Sequence, residues 1–185
     1  MTPFVQSITN ILSFFTLLAD IFAVALLLLL VTPLKRHGRG RQIADFFGER
    51  AIFLSFLAAL AATGGSLFYS AIAGFAPCDL CWWQRIFLYP QTVLLFTAFL
   101  KKDENMRLHC SVLSGVGALI ALYHTFIQFG GTSIVPCSIT GVSCTIIYFI
   151  EYGYVTIPTM SLTVFVLLLL LMSAPNPKKK NINEL

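Results

Sequence analysis

The stretch ILSFFTLLADIFAVALLLLLV, residues 11–31, carries one charged side chain in 21 positions. A helix rises about 1.5 Å per residue, so about 20 apolar residues cross a hydrocarbon core of roughly 30 Å. The run begins at about residue 8, and four more apolar segments follow at about 51–73, 82–100, 108–126 and 157–172. A chain of 185 residues has too little other mass to bury five such runs in a soluble core. Charged residues make up 11% of it, well under the roughly 25% of soluble domains. The sequence therefore predicts a small all-α integral membrane protein. The last segment is short and needs its flanks, or a locally thin bilayer, to span.

The net charge of +4 has a topological cause and calls for no nucleic-acid partner. Lys35, Arg36, Arg39, Arg41 and Arg50 fall between the first two segments, and Lys101, Lys102 and Arg107 between the third and fourth. Lys178, Lys179 and Lys180 follow the fifth. With five spans, these eleven of the twelve basic residues share one side, which the positive-inside rule assigns to the cytoplasm. The N-terminus is then expected outside and the C-terminus inside. No basic residue precedes the first run, so a retained helix is expected rather than a cleaved signal peptide. Arg85 is the exception, a full charge at the outer mouth of the third segment.

The five cysteines sort by this topology. Cys78 and Cys81 fall in a short outer loop, Cys137 and Cys144 in a longer one, and Cys110 at the inner end of the fourth segment. Disulfides persist on the outer side and are rare in the cytosol. Cys-x-x-Cys closes a small ring that can cycle between dithiol and disulfide, although zinc sites share the spacing. The second pair, in PCSITGVSC, could present an accessible disulfide to a partner. Two static staples, or one site of four thiolates holding zinc, remain open on spacing alone. Cys110 is expected to be a small buried hydrophobe.

Arg85 lies four residues after Cys81, so a helix starting near Cys81 puts both on one face. A cation there is expected to favour the Cys81 thiolate. The alternative is an arginine that snorkels to lipid headgroups. His124 is placed near the outer end of the fourth segment, at the level of Arg85, where it could shuttle protons or simply bond a carbonyl. Asp20 is the only acid inside a span, which makes it a site or a packing contact. Gly64, Gly65, Gly115 and Gly117 are expected to permit close helix approach, and Pro90 to bend the third helix.

The segment GSLFYSAIAGFAPCDLCWWQRIFLYP, followed by YHTFIQ, PCSITGVSC and YGYVTIPTMSLTVF, resembles the DsbB family of disulfide bond formation proteins, especially its BdbC-like branch. The likeness spans about residues 51–172. It implies a DsbB-type four-helix transmembrane bundle over 51–173. An extra N-terminal transmembrane helix and basic linker (1–50) would precede it, and a basic cytoplasmic tail (174–185) would follow. It also implies a thiol:quinone oxidoreductase of the cell membrane. Cys137 and Cys144 would oxidise an extracytoplasmic thioredoxin-fold thiol oxidase of the DsbA or BdbD kind, with Cys137 taking the mixed disulfide. Electrons would pass to Cys78 and Cys81 and on to a quinone, menaquinone or ubiquinone, bound near Cys81, Arg85 and His124. No metal site is implied. The long outer loop is short for the Gram-negative members, and the extra helix departs from the usual four spans. Vitamin K epoxide reductase-like proteins carry their Cys-x-x-Cys late in the chain, and transporters favour paired intramembrane polar residues, so neither fits as well. A non-catalytic scaffold with stapled or metal-holding outer loops is the remaining alternative.

Overall fold

The computed structural model describes residues 2–32, 38–132 and 141–175. Five helices follow one another: α1 Pro3–Val31, α2 Gly38–Leu67, α3 Asp79–Lys101, α4 Met106–Gln128 and α5 Ile157–Ser173. A π-helical turn, Phe68–Ile72, continues α2. By length and composition, α1, α2 with its π turn, and α4 can each cross a membrane, and α5 is apolar but shorter. The chain is thus an all-α, multi-pass membrane protein.

One boundary differs from expectation. α2 begins at Gly38 rather than near residue 51, so Arg39, Arg41 and Arg50 lie on a helix and not in a linker. Arg41 pairs with Asp45 one turn on, at 3.7 Å, and Phe47 packs edge-on against Phe22 of α1. Long basic side chains can thus ride on a helix that emerges from the bilayer. Lys35, Arg36, His37, Cys137 and Lys178 to Lys180 lie outside the described residues.

The central core is shared by α2 to α5. Ala59 of α2, Leu95 of α3, Cys110 and Ala121 of α4 and Phe165 and Leu168 of α5 are all fully buried in it. Cys110 is the small apolar filler its setting predicts. α4 and α5 pack closely at Gly117, where a Cβ would lie 2.4 Å from the Phe165 ring. A Cβ at Gly65 would touch Leu12 of α1 at 3.7 Å. At Gly64 and Gly115 it would meet open space, so those two glycines mediate no close approach. Pro90 lies within α3, which runs on past it to Lys101.

α1 packs on the outside of the bundle. Its Leu26 and Leu30 bury against Ala51, Leu171 and Ala174. Higher up, Asp20 accepts hydrogen bonds from Thr163 Oγ1 at 2.6 Å and Tyr154 Oη at 2.7 Å. Gln6 Nε2 donates to Glu151 Oε1 at 3.0 Å. The intramembrane acid is therefore a helix-docking group.

The molecule has two distinct ends. At one, Arg107 donates to the carbonyls of Gly48 and Ala174 and pairs with Glu104, so α2, α4 and the end of α5 meet on one guanidinium. At the other, Phe75 stacks on Tyr148 at 4.4 Å and Tyr148 Oη donates to the Ala76 carbonyl. This aromatic clasp holds the loop before α3 against the loop before α5. The chemistry-bearing residues gather beneath it.

Candidate active site

Cys78 is the N-cap of α3, and Cys81 lies one turn in. Their sulfurs are 3.2 Å apart, and both are free thiols. The helix start orients backbone N–H groups toward this end of α3, which favours negative charge there. α4 brings in His124, 2% exposed. Its Nδ1 lies 3.0 Å from Gln84 Nε2, and its Nε2 lies 3.2 Å from the Cys144 carbonyl and 3.7 Å from Cys78 Sγ. An amide nitrogen only donates, so Nδ1 accepts and Nε2 carries the proton. That N–H points at the Cys144 carbonyl and the Cys78 sulfur.

Cys78, in the loop outside the spans, has its pKa lowered to about 4. The hydrogen bond with Cys81 is the largest cause, and the hydrogen bond from His124 adds to it against the cost of burial. With Cys78 ionised, Cys81 holds the shared proton and donates it. The thiolate thus falls on Cys78 in this dithiol form. The reason is local: Cys78 has two hydrogen-bonding partners that favour its charge. Arg85 Nε donates to Ser66 Oγ at 3.0 Å and Nη2 to the Ser66 carbonyl at 3.3 Å. Tyr89 Oη donates to the same hydroxyl at 3.1 Å, and the Trp82 ring lies 5.1 Å from the Arg85 guanidinium carbon. Arg85 is a fixed cation, pinned to α2 rather than free to snorkel.

Two cavities border the thiol pair. The larger, about 240 Å³, is lined on α3 by Cys81, Gln84, Arg85 and Leu88. Its floor on α2 is Ala58, Ala61, Ala62, Gly65 and Ser66. These small residues recur three and four apart, on one helix face, and are too short to fill the space before them. The smaller, about 20 Å³, is lined by Cys78, Cys81, His124, Gln128 and Cys144. Cys144 is buried there and disulfide-bonded. Cys81 borders both cavities, Cys78 only the smaller.

The expected residues Cys78, Cys81, Arg85, His124 and Cys144 therefore do come together, in two compartments. His124 borders the smaller one, behind the sulfurs, and is not among the residues that line the larger cavity. Gln84 and Ser66 were not singled out from sequence. Gln84 carried a usable signal, a polar side chain three residues after Cys81 on a membrane helix. Ser66 carried none. Cys78, Cys81 and His124 also offer three ligand atoms within 4.8 Å of one another.

The family model for disulfide bond formation protein DsbB matches residues 48–174. The SPbeta prophage-derived disulfide bond formation protein B of Bacillus subtilis (strain 168) is 45% identical over 128 residues, which cover 69% of this chain and 83% of that protein. Disulfide bond formation protein C of the same organism is 37% identical over 128 residues, covering 67% and 92%. A probable disulfide formation protein of Oceanobacillus iheyensis is 37% identical over 135 residues, covering 67% and 90%. No solved structure matches the chain. With a family model spanning α2 to α5 and a cysteine pair set in a buried polar cluster, the chain belongs to the DsbB family of disulfide bond formation proteins, which are membrane oxidoreductases.

Proposed function

We propose that the protein is a thiol:quinone oxidoreductase that reoxidises an extracytoplasmic thioredoxin-fold thiol oxidase of the DsbA or BdbD kind. The observation that carries this is the position of the Cys78–Cys81 pair between two cavities. One is shared with Cys144 and the other, mostly apolar, with Arg85. In the proposed sequence, Cys137 takes the mixed disulfide with the partner. The partner's two thiols become a disulfide, and the Cys137–Cys144 disulfide becomes two thiols. These then reduce Cys78–Cys81 and close again as a disulfide. A quinone, menaquinone or ubiquinone, supplies when bound a two-electron, two-proton acceptor for the Cys78–Cys81 dithiol.

The cavity fits such a group, having chiefly apolar walls, one thiol and one fixed cation. In this scheme Cys78 is the thiolate of the exchange and Cys81 faces the acceptor. Arg85 holds positive charge beside it. His124, expected at the quinone, has contacts that suit proton custody at the Cys78 sulfur. The proposed architecture is five spans, with α2 to α5 as the DsbB-type bundle and α1 added. Both cysteine pairs and the N-terminus would be outside, and the basic residues and C-terminus in the cytoplasm.

The test is quinol formation by the purified chain driven by a small dithiol, beside Cys78→Ser, Cys81→Ser and Arg85→Ala. Loss in both cysteine variants and weakening in Arg85→Ala are expected. No quinol with benzoquinone or naphthoquinone acceptors, from a folded protein, would sink the proposal. A structural metal site is favoured by one observation, the three clustered ligand atoms. A site of four thiolates is disfavoured, because Cys144 is tied in a disulfide. Stoichiometric zinc that survives dialysis of the purified protein would support that second reading.

A further inference from the structure

α1 lies wholly ahead of the segment that matches the family, yet Leu12, Phe15, Thr16 and Ala19 line the larger cavity. We propose that α1 is the lipid-side wall of the quinone site and selects which acceptors enter. This rests on the larger cavity being the quinone site.

The four residues recur at helical spacing, so they present one face of α1. That face is fixed from both ends of the stretch. Above it, Gln6 bonds Glu151. Below it, Asp20 accepts from Thr163 and Tyr154. A carboxylate in a span is costly unless it is hydrogen-bonded, so Asp20 sets both the rotation and the depth of α1. Leu12, Thr16 and Asp20 lie four apart, which puts the clamp and the wall on one stripe. Each seam has a contact as well. Leu12 sits over Gly65 of α2, and Asp20 meets Thr163 of α5. Phe15, 62% exposed, forms the rim toward the lipid. Ala19 is the short side chain that leaves room inside. An acceptor that fills this cavity beside Cys81 therefore lies against α1. In a bundle without this helix the α2 floor would open directly to lipid.

The experiment uses the full chain in lipid nanodiscs with a small dithiol as reductant. Each turnover converts two thiols to a disulfide and passes two electrons and two protons to the quinone. KM and kcat are measured for a tail-less benzoquinone and for a naphthoquinone with an isoprenoid tail. Ala19→Leu, which adds bulk to the cavity wall, is expected to raise KM for the bulkier acceptor by roughly tenfold or more, with a smaller effect on the benzoquinone. Val24→Leu, on the exposed face of α1, is expected to leave both unchanged. An azidoquinone photolabel on the unaltered chain covers the case of a misfolded variant, and label is expected in residues 3–31 as well as 79–101. Label confined to α3, or an unchanged KM in Ala19→Leu while Arg85→Ala is impaired, overturns the role of α1 and leaves the quinone site standing. If neither segment is labelled and Arg85→Ala is as active as the parent, the quinone site itself falls.

Discussion

At the residue scale, the site depends on where one proton sits between two sulfurs. Cys78 titrates at about 4 against an ordinary 9.0, because Cys81 and His124 both stabilise its charge. The sign follows directly. A lowered thiol pKa stabilises the folded, reduced protein fully above pH 9. The contribution shrinks as pH falls and is gone below about 4. Ultraviolet thiolate absorbance of the reduced protein should therefore persist down to about pH 5 and fall to half near 4. His124→Ala should move that midpoint upward. Gln84→Leu should do so too, since Gln84 and the Cys144 carbonyl together hold the His124 ring with its proton on Nε2. A midpoint near 9 in the parent protein would mean that the cluster does not hold the charge. The cysteines and Arg85 were legible in the sequence because their chemistry lies at fixed short spacing on one helix turn. The role of Ser66 and the bond of Gln84 to His124 were not, because the partners lie 19 and 40 residues away. No local pattern encodes such pairs.

At the element scale, apolar runs marked all five described helices, three of them long and apolar enough to cross a membrane. They misplaced the start of α2, because a helix leaving the membrane becomes basic before it ends, and charge density alone reads as linker. Helix contacts were half legible. Glycine pairs marked two candidate seams, but only the facing side chain decides which glycine matters. Gly117 faces Phe165 and Gly115 faces open space. Gly117→Ala is expected to destabilise the bundle by about 1–3 kcal/mol through overpacking. Gly115→Ala should stay within about 0.5 kcal/mol of the parent. Thermal unfolding in detergent reads both, and Phe165→Leu placed in the Gly117→Ala background should recover part of the loss. Equal effects at the two glycines would mean that α4 and α5 do not meet at Gly117.

At the scale of the whole molecule, the fold separates charge from redox chemistry. Arg107 gathers α2, α4 and α5 at the end where Arg50, Lys101 and Lys102 also fall in sequence. Arg107→Met strips two carbonyls of a charged donor and is expected to cost about 2–3 kcal/mol of stability. It should leave the Cys78 midpoint unmoved, because the cysteines lie at the opposite end of α3 and α4. Which end faces the cytoplasm is then a single binary question, and under the proposed topology it is the Arg107 end, by the positive-inside rule. A fluorescent protein fused to the C-terminus should shine, and an alkaline phosphatase fused at the same point should stay inactive. A membrane-impermeant maleimide should label Ser143→Cys in intact cells, since Ser143 is exposed beside Cys144. The reverse pattern would put Cys144 and its disulfide in the reducing cytosol, where it could not persist. That outcome would remove the oxidising compartment the whole exchange sequence requires, so this one orientation measurement tests the topology and the compartment of the exchange together.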